Sequence, residues 1–254
     1  WLVPESPRFS GGRTARSGLY IIGALRGTAP GQERLVEAAA AAADLHDRLT
    51  HGRAAPVPSV RPTLCASCLT CVRVCAHGVP HYGEESIECA PAACVACGMC
   101  AAECPAEAIA PPGWSNPELT AGLEAGLAKA GSPKMVLFAC GQSGAQAFAQ
   151  LSRQGHEWPD GLLLYPLPCA GRVGMQLIMK ALSSGAEGVM VAGCHDGNCR
   201  SVSGNLRARL RVGEAAQMLE QLGLGPERVS FLHLASNQPR CLAQAVDQFV
   251  SALG

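Results

Sequence analysis

Eight of the 14 cysteines fall into two runs of one pattern, Cys65-x2-Cys68-x2-Cys71-x3-Cys75 and Cys94-x2-Cys97-x2-Cys100-x3-Cys104-Pro105. In such a run three thiolates wrap one iron-sulfur cubane, and the fourth cysteine reaches across to the neighbouring cubane. The spacing therefore predicts two 4Fe-4S clusters, one on Cys65, Cys68, Cys71 and Cys104, the other on Cys94, Cys97, Cys100 and Cys75. Iron in a sulfide cluster favours soft, anionic ligands, and close loops let backbone N–H groups hydrogen-bond the sulfurs. Gly98 leaves the backbone room to do so. Structural zinc usually takes two separated C-x2-C pairs, a different spacing. Cys89 lies outside the pattern and reads as a small apolar residue.

A second group of cysteines sits where strands end. Cys140 closes Val136-Leu137-Phe138-Ala139, Cys169 follows Leu163-Leu164-Tyr165-Pro166-Leu167-Pro168, and Cys194 follows Val189-Met190-Val191-Ala192-Gly193, with Cys199 five residues further on. In an open α/β sheet the carboxyl edge is where ligands bind, so four thiols from three loops converge there as a metal centre. Helices beginning near Ser143 and Gly171 would aim their N-termini at it and stabilise its negative charge. Zinc or a redox disulfide are the alternatives at this edge. Cys194 with His195 as nucleophile and base is a third, but adjacent side chains rarely face each other, and a supporting hydrogen bond suits His195 better. Cys241 has no partner at ligand spacing. His46, His51, His77, His81, His156 and His233 show no ligand spacing either.

The elements that must position these groups fall into three segments. Leu19 to Gly23 reads as a short strand ending in glycine, and Pro30-Gly31 opens an alanine-rich helix to about Leu49. Proline and glycine punctuate residues 54–62 and 111–117, marking linkers. Between them the cysteine-rich stretch repeats itself 29 residues apart, from Cys65 to Cys94, as a duplicated half-domain does. Beyond the second linker, strands at Lys134 to Ala139, Leu162 to Leu167, Glu187 to Ala192 and Arg228 to Leu234 alternate with helices. That order implies βαβ units and a parallel sheet with strands buried on both faces. The expected architecture is α+β and α/β: the tail of a flavoprotein domain over 1–54, a two-cluster domain over 55–112, a linker over 113–131 and a small parallel-sheet domain over 132–254.

Twenty basic residues balance 20 acidic ones, leaving no overall field for nucleic acid or an anionic membrane. No run of about 18 apolar residues would insert into a bilayer, and the first residues lack a secretory signal. Cysteine in metal-ligand spacing fits a reducing cytoplasm. The chain opens at Trp1 in what reads as the end of a domain, as a fragment or a processed chain would.

Residues 65–105 resemble a bacterial two-cluster ferredoxin, with Ala76 where that family usually has proline after the fourth cysteine. Leu167-Pro-Cys169-Ala-Gly171-Arg-Val and Gly185-Ala-Glu-Gly188-Val-Met-Val-Ala-Gly-Cys194-His-Asp-Gly197-Asn-Cys199 resemble the delta subunit of methyl-viologen-reducing hydrogenase, over roughly residues 132–254. That resemblance implies an electron-transfer module with a 2Fe-2S cluster on Cys140, Cys169, Cys194 and Cys199. The family often has a further cysteine after the first ligand and a histidine after the last; this chain has Gln142 or Ser143 and Arg200 there. Ser17 to Gly31 and the helix after it resemble the tail of the FAD domain in the A-type flavoprotein of heterodisulfide reductase. This implies FAD contacts at Gly23, Ala24, Leu25 and Gly27, with most of the flavin bound by residues outside this chain.

The whole order resembles the C-terminal third of the B subunit of the quinone-interacting membrane-bound oxidoreductase complex, or of heterodisulfide reductase A fusions. It implies electron transfer between FAD, two 4Fe-4S clusters and a 2Fe-2S cluster, with no substrate chemistry or catalytic residue on this chain. The implied partners are a heterodisulfide-reductase-A-like flavoprotein, a membrane quinone-reactive subunit that would supply any membrane association, and adenylylsulfate reductase or a hydrogenase. A thiol or disulfide reductase using Cys194 and His195, and an electron-transfer linker to a hydrogenase, are the alternatives.

Overall fold

The computed structural model describes residues 19–26, 31–50 and 57–253. Of the strand expected from Leu19 to Gly23, only Tyr20 makes a bridge. Gly23 takes a φ of 66°, which ends the extended run and starts a 3-10 turn at Gly23–Arg26. Helix α1 follows at Gln32–Thr50. The turn is held on the helix by the Gly23 N–H, which donates to the Glu37 carboxylate at 2.9 Å, and by the Tyr20 hydroxyl on Asp44.

The middle of the chain is built of short pieces: β1 Ser59–Val60, α2 Thr70–Val74, β2 Pro80–Tyr82, β3 Ile87–Cys89, α3 Met99–Ala102 and β4 Ile109–Ala110. Strand β1 pairs antiparallel with β4, and β2 with β3. The sequence repeat is also a repeat of backbone shape. Each half has a 3-10 turn (Pro62–Leu64, Pro91–Ala93) that runs directly into its first cysteine. Positive φ recurs at matching positions: Ser67 at 50° and Ala96 at 53°, Leu69 at 58° and Gly98 at 75°, Gly78 at 62° and Glu107 at 49°. Residues with a side chain rarely adopt such angles, at a cost of about 1–3 kcal/mol each, and they persist where the surroundings fix them. Here they curl each loop around its own cysteines. A small core of Cys71, Ile87, Ala101 and Ile109 lies between the halves.

The segment expected as a linker over 113–131 instead carries helix α4, Asn116–Leu127. Its start is a capping box: the Ser115 Oγ accepts from the Glu118 N–H, and the Glu118 carboxylate accepts from the Ser115 N–H at 2.9 Å. Leu119, Leu123 and Leu127, spaced one helical turn apart, put its apolar stripe into the core.

The remaining elements are β5 Met135–Cys140, α5 Gly144–Arg153, β6 Leu162–Leu167, α6 Met175–Ser183, β7 Gly188–Gly193, α7 Gly204–Gln221, β8 Val229–His233 and α8 Pro239–Leu253. The expected strands are all present, within a residue or two at their ends. They form one parallel sheet in the order β6-β5-β7-β8. Val136, Phe138 and Cys140 of β5 face a core shared with α4, α6 and α7, while Met135, Leu137 and Ala139 face one shared with α5 and α8. Strands β5 and β7 are buried on both faces, as continuous apolar strands should be; β6 and β8, at the edges, are half-buried along much of their length.

Candidate metal centres

Two cavities lie in the middle segment. One, of about 330 Å³, is lined by Cys65, Cys68, Cys71 and Cys104 among apolar residues such as Val60, Ile87 and Ile109. The other, of about 360 Å³, is lined by Cys75, Cys94, Cys97 and Cys100 with Val79, Val95 and Met99. Each void thus draws three thiols from one half of the repeat and one from the other. Backbone N–H groups already point at the sulfurs: Ala108 donates to Cys104 Sγ at 3.3 Å, Val79 to Cys75 Sγ at 3.5 Å and Ala96 to Cys94 Sγ at 3.4 Å. The first two are matching positions of the repeat. Among the described residues no three His, Cys, Asp or Glu side chains converge on one point as a single ion requires; the eight thiols are set around voids.

Burial pushes the thiols of Cys71, Cys94, Cys97 and Cys100 up from their ordinary value, whereas a hydrogen bond with Thr70 lowers that of surface Cys68. The pocket alone therefore favours neutral thiols. A bound metal reverses this, because a coordinating thiol is deprotonated. Apolar walls, four thiols around a void and inward N–H donors fit an iron-sulfur cluster. Cys89 also lines the larger cavity, and burial raises its thiol to about 12.

The four remaining predicted ligands meet at the sheet edge. Strands β5 and β7 are neighbours, and the chain leaves β5 for β6 on one side before crossing back to β7; the crevice at such a reversal is the usual ligand site of an open α/β sheet. Cys140 and Cys194 stand on its two sides with their sulfurs 3.7 Å apart. Cys169 hydrogen-bonds both Cys140 and Cys199, so the four thiols form one chain of contacts. The Gly171 N–H donates to Cys169 Sγ at 3.4 Å. A Cβ on Gly204 would lie 2.4 Å from Cys169 Sγ and 3.4 Å from Cys199 Sγ, so only glycine lets this backbone approach both sulfurs. Hydrogen bonds received from Cys169 and Cys194 hold the Cys140 thiol well below its usual range, and one from Cys169 lowers Cys199; the donors Cys169 and Cys194 are raised. Shared protons of this kind are readily displaced by a metal.

Helix α5 begins beside this group as expected, its N-cap Ser143 lying 3.6 Å from Cys194 Sγ. The helix expected near Gly171 starts later: Ala170–Arg172 is a 3-10 turn, and α6 begins at Met175, after Gly174. The N-terminus of α7, absent from the sequence-based expectations, faces Cys169 and Cys199 at Gly204. His195 does not serve Cys194 as a base: its Nε2 hydrogen-bonds Gln238 at 2.8 Å and its ring stacks on His233. Cys241 is exposed on α8.

Two arginines join the middle and C-terminal segments. Arg172 is 1% exposed; its Nε donates to the Trp114 carbonyl at 2.8 Å and its Nη2 to Asn116 Oδ1 at 2.6 Å. Its Cδ covers Gly98, where an added Cβ would lie only 2.5 Å away. Arg211 donates to the carbonyls of Gly171 and Val173 at 3.0 and 2.6 Å and pairs with Glu103, which also meets Arg207 at 3.3 Å. Burial opposes ionisation of Glu103, but Arg211 and Arg207 outweigh it and lower its carboxyl. These contacts set the Cys94–Cys100 loop against the turn after Cys169. Lone basic residues in apolar runs give no hint of them.

Gly23, Ala24 and Leu25, expected to touch flavin, lie in the 3-10 turn before α1; Gly27 lies outside the described residues. Among the described residues no helix is long and apolar enough to cross a membrane.

Residues 135–254 match the family described as methyl-viologen-reducing hydrogenase, delta subunit. The vhu iron-sulfur D subunit of the F420-non-reducing hydrogenase of Methanopyrus kandleri is 38% identical over 120 residues, 47% of this chain and 85% of that protein. The iron-sulfur D subunit of the F420-non-reducing hydrogenase of Archaeoglobus profundus is 32% identical over 117 residues, 46% of this chain and 85% of that protein. The A subunit of the ferredoxin:CoB-CoM heterodisulfide reductase of Methanosarcina mazei is 28% identical over 242 residues, which is 93% of this chain and 30% of that protein.

Proposed function

Because the chain belongs to the methyl-viologen-reducing hydrogenase delta-subunit family and is like the A-type flavoprotein of heterodisulfide reductase, it is a component of an oxidoreductase complex, and we propose that it carries electrons through three iron-sulfur centres. Two are 4Fe-4S clusters, on Cys65, Cys68, Cys71 and Cys104 and on Cys75, Cys94, Cys97 and Cys100. The third is a 2Fe-2S cluster on Cys140, Cys169, Cys194 and Cys199. The observation that carries this reading is the pairing of each middle-segment cavity with one interlocked quartet of thiols.

Such centres, when bound, supply one-electron transfer at potentials set by charge, hydrogen bonds and burial. The chain's own residues orient the sulfurs, keep water from most of them, and hold the second and third sites against each other through Arg172 and Arg211. The first segment, with Gly23, Ala24 and Leu25 in its turn, is the side proposed to approach FAD held by other residues. Partners are the other subunits of a redox complex: a heterodisulfide-reductase-A-like flavoprotein, and a hydrogenase or a quinone-linked unit.

The test is EPR of the anoxic protein during stepwise reduction by a low-potential one-electron donor. Signals of two cubanes and one two-iron centre are expected; a protein that accepts no electrons overturns the reading.

A further inference from the structure

Arg172 is a buried cation whose hydrogen-bond acceptors are both neutral, the Trp114 carbonyl and the Asn116 side-chain oxygen. Leaving a charge in the interior without a counter-charge is strongly unfavourable. The charged and titratable groups that act on it are few. Arg211 repels it, and is itself occupied by Glu103. Glu107 acts at a remove, through Asn116, whose Nδ2 donates to its carboxylate at 3.0 Å. The nearest compensating group is Cys100, against whose loop the arginine stem lies at Gly98. Burial lowers the guanidinium only to about 10, so it is charged at neutral pH.

We propose that Arg172 is the counter-ion built into the fold for an anionic centre held by Cys75, Cys94, Cys97 and Cys100, and that it raises the reduction potential of that centre. This rests on the reading that the quartet holds an iron-sulfur cluster. Four thiolates make such a centre negative, and reduction adds one more negative charge. A fixed positive charge in a region of low dielectric stabilises the reduced form more than the oxidised one. The placement is selective. The quartet containing Cys65 and Cys68 has Arg73 nearby, whose guanidinium donates to the Cys68 carbonyl at 2.9 Å in an exposed setting where solvent screens it. The Arg172 backbone also ties the two sites: its N–H donates to the Cys169 carbonyl at 3.0 Å. One residue thus touches a ligand loop of each centre.

EPR-monitored redox titration of the anoxic full chain tests this, with the centre in question identified by its loss in Cys75→Ser. Arg172→Gln should keep its iron and sulfide while that one midpoint falls, making reduction about tenfold less favourable, ~59 mV for a one-electron couple. The other two midpoints should stay in place, and Arg172→Lys, which keeps the charge, should remain near the parent. Asn116→Asp gives the guanidinium a carboxylate at the first turn of α4, where an acid is welcome, and should lower the same midpoint without removing the arginine. Unchanged midpoints in an iron-replete Arg172→Gln, or an Arg172→Lys shift as large as that of Gln, overturn the proposal. If Arg172→Gln loses the centre, an unchanged midpoint in Asn116→Asp overturns it. A parent protein without iron and labile sulfide overturns the underlying reading instead.

Discussion

Cys140 Sγ stands 3.7 Å from Cys194 Sγ, although 54 residues separate them in the chain. The two meet because β5 and β7 are hydrogen-bonded neighbours whose ends flank the reversal of strand order. Their contact makes the sheet edge a single site. Cys194→Ser should therefore abolish the third centre alone. The expected loss is about two of about ten iron atoms per chain, with both cubane signals intact, read by iron analysis and EPR. Loss of all three centres together would contradict independent sites.

The crossed quartets make a sharper distinction. Cys104→Ser should remove the centre of Cys65, Cys68 and Cys71 and spare that of Cys94, Cys97 and Cys100, although Cys104 follows the latter in sequence. EPR of Cys104→Ser beside Cys75→Ser decides it. An uncrossed pattern, in which each variant loses the centre of its own run, contradicts the assignment.

Gly204 leaves no room for a side chain between Cys169 and Cys199. Gly204→Ala should displace these sulfurs, broaden or erase the signal of the third centre, and leave far-UV circular dichroism unchanged, since alanine suits the first turn of a helix.

Leu123 is fully buried between α4 and the sheet. Leu123→Ala should destabilise the C-terminal domain by about 2–5 kcal/mol, measured by denaturant unfolding under anoxic conditions. A change near zero would mean that α4 is not part of that core.

How far the sequence discloses these sites follows from the range of the interactions involved. Thiols two residues apart and a repeat at fixed period are local signals, so both interlocked quartets can be named from them, and matching positive φ angles at Ser67 and Ala96 show the period reaching the backbone. The four strands are readable because β5 and β7 are apolar throughout, as buried parallel strands must be. Helix α4 escapes the sequence reading although Ser115, Pro117 and Glu118 spell a helix start: the prolines at 111, 112 and 117 read as a break instead. The strand expected at Leu19 to Gly23 fails at Gly23, whose positive φ turns the chain. Arg172 and Arg211 are invisible as functional groups, because their acceptors are carbonyls and side chains 38 to 108 residues away. A basic residue in an apolar run, next to a glycine, is the only local trace such a junction leaves.

The most direct measurement is the iron, acid-labile sulfide and zinc content of the full chain purified without exposure to oxygen. Two interlocked cubane sites and one two-iron site require about ten iron and about ten sulfide per chain, with zinc absent. A colourless protein holding zinc and no labile sulfide would show that these thiols bind a different metal and carry no current.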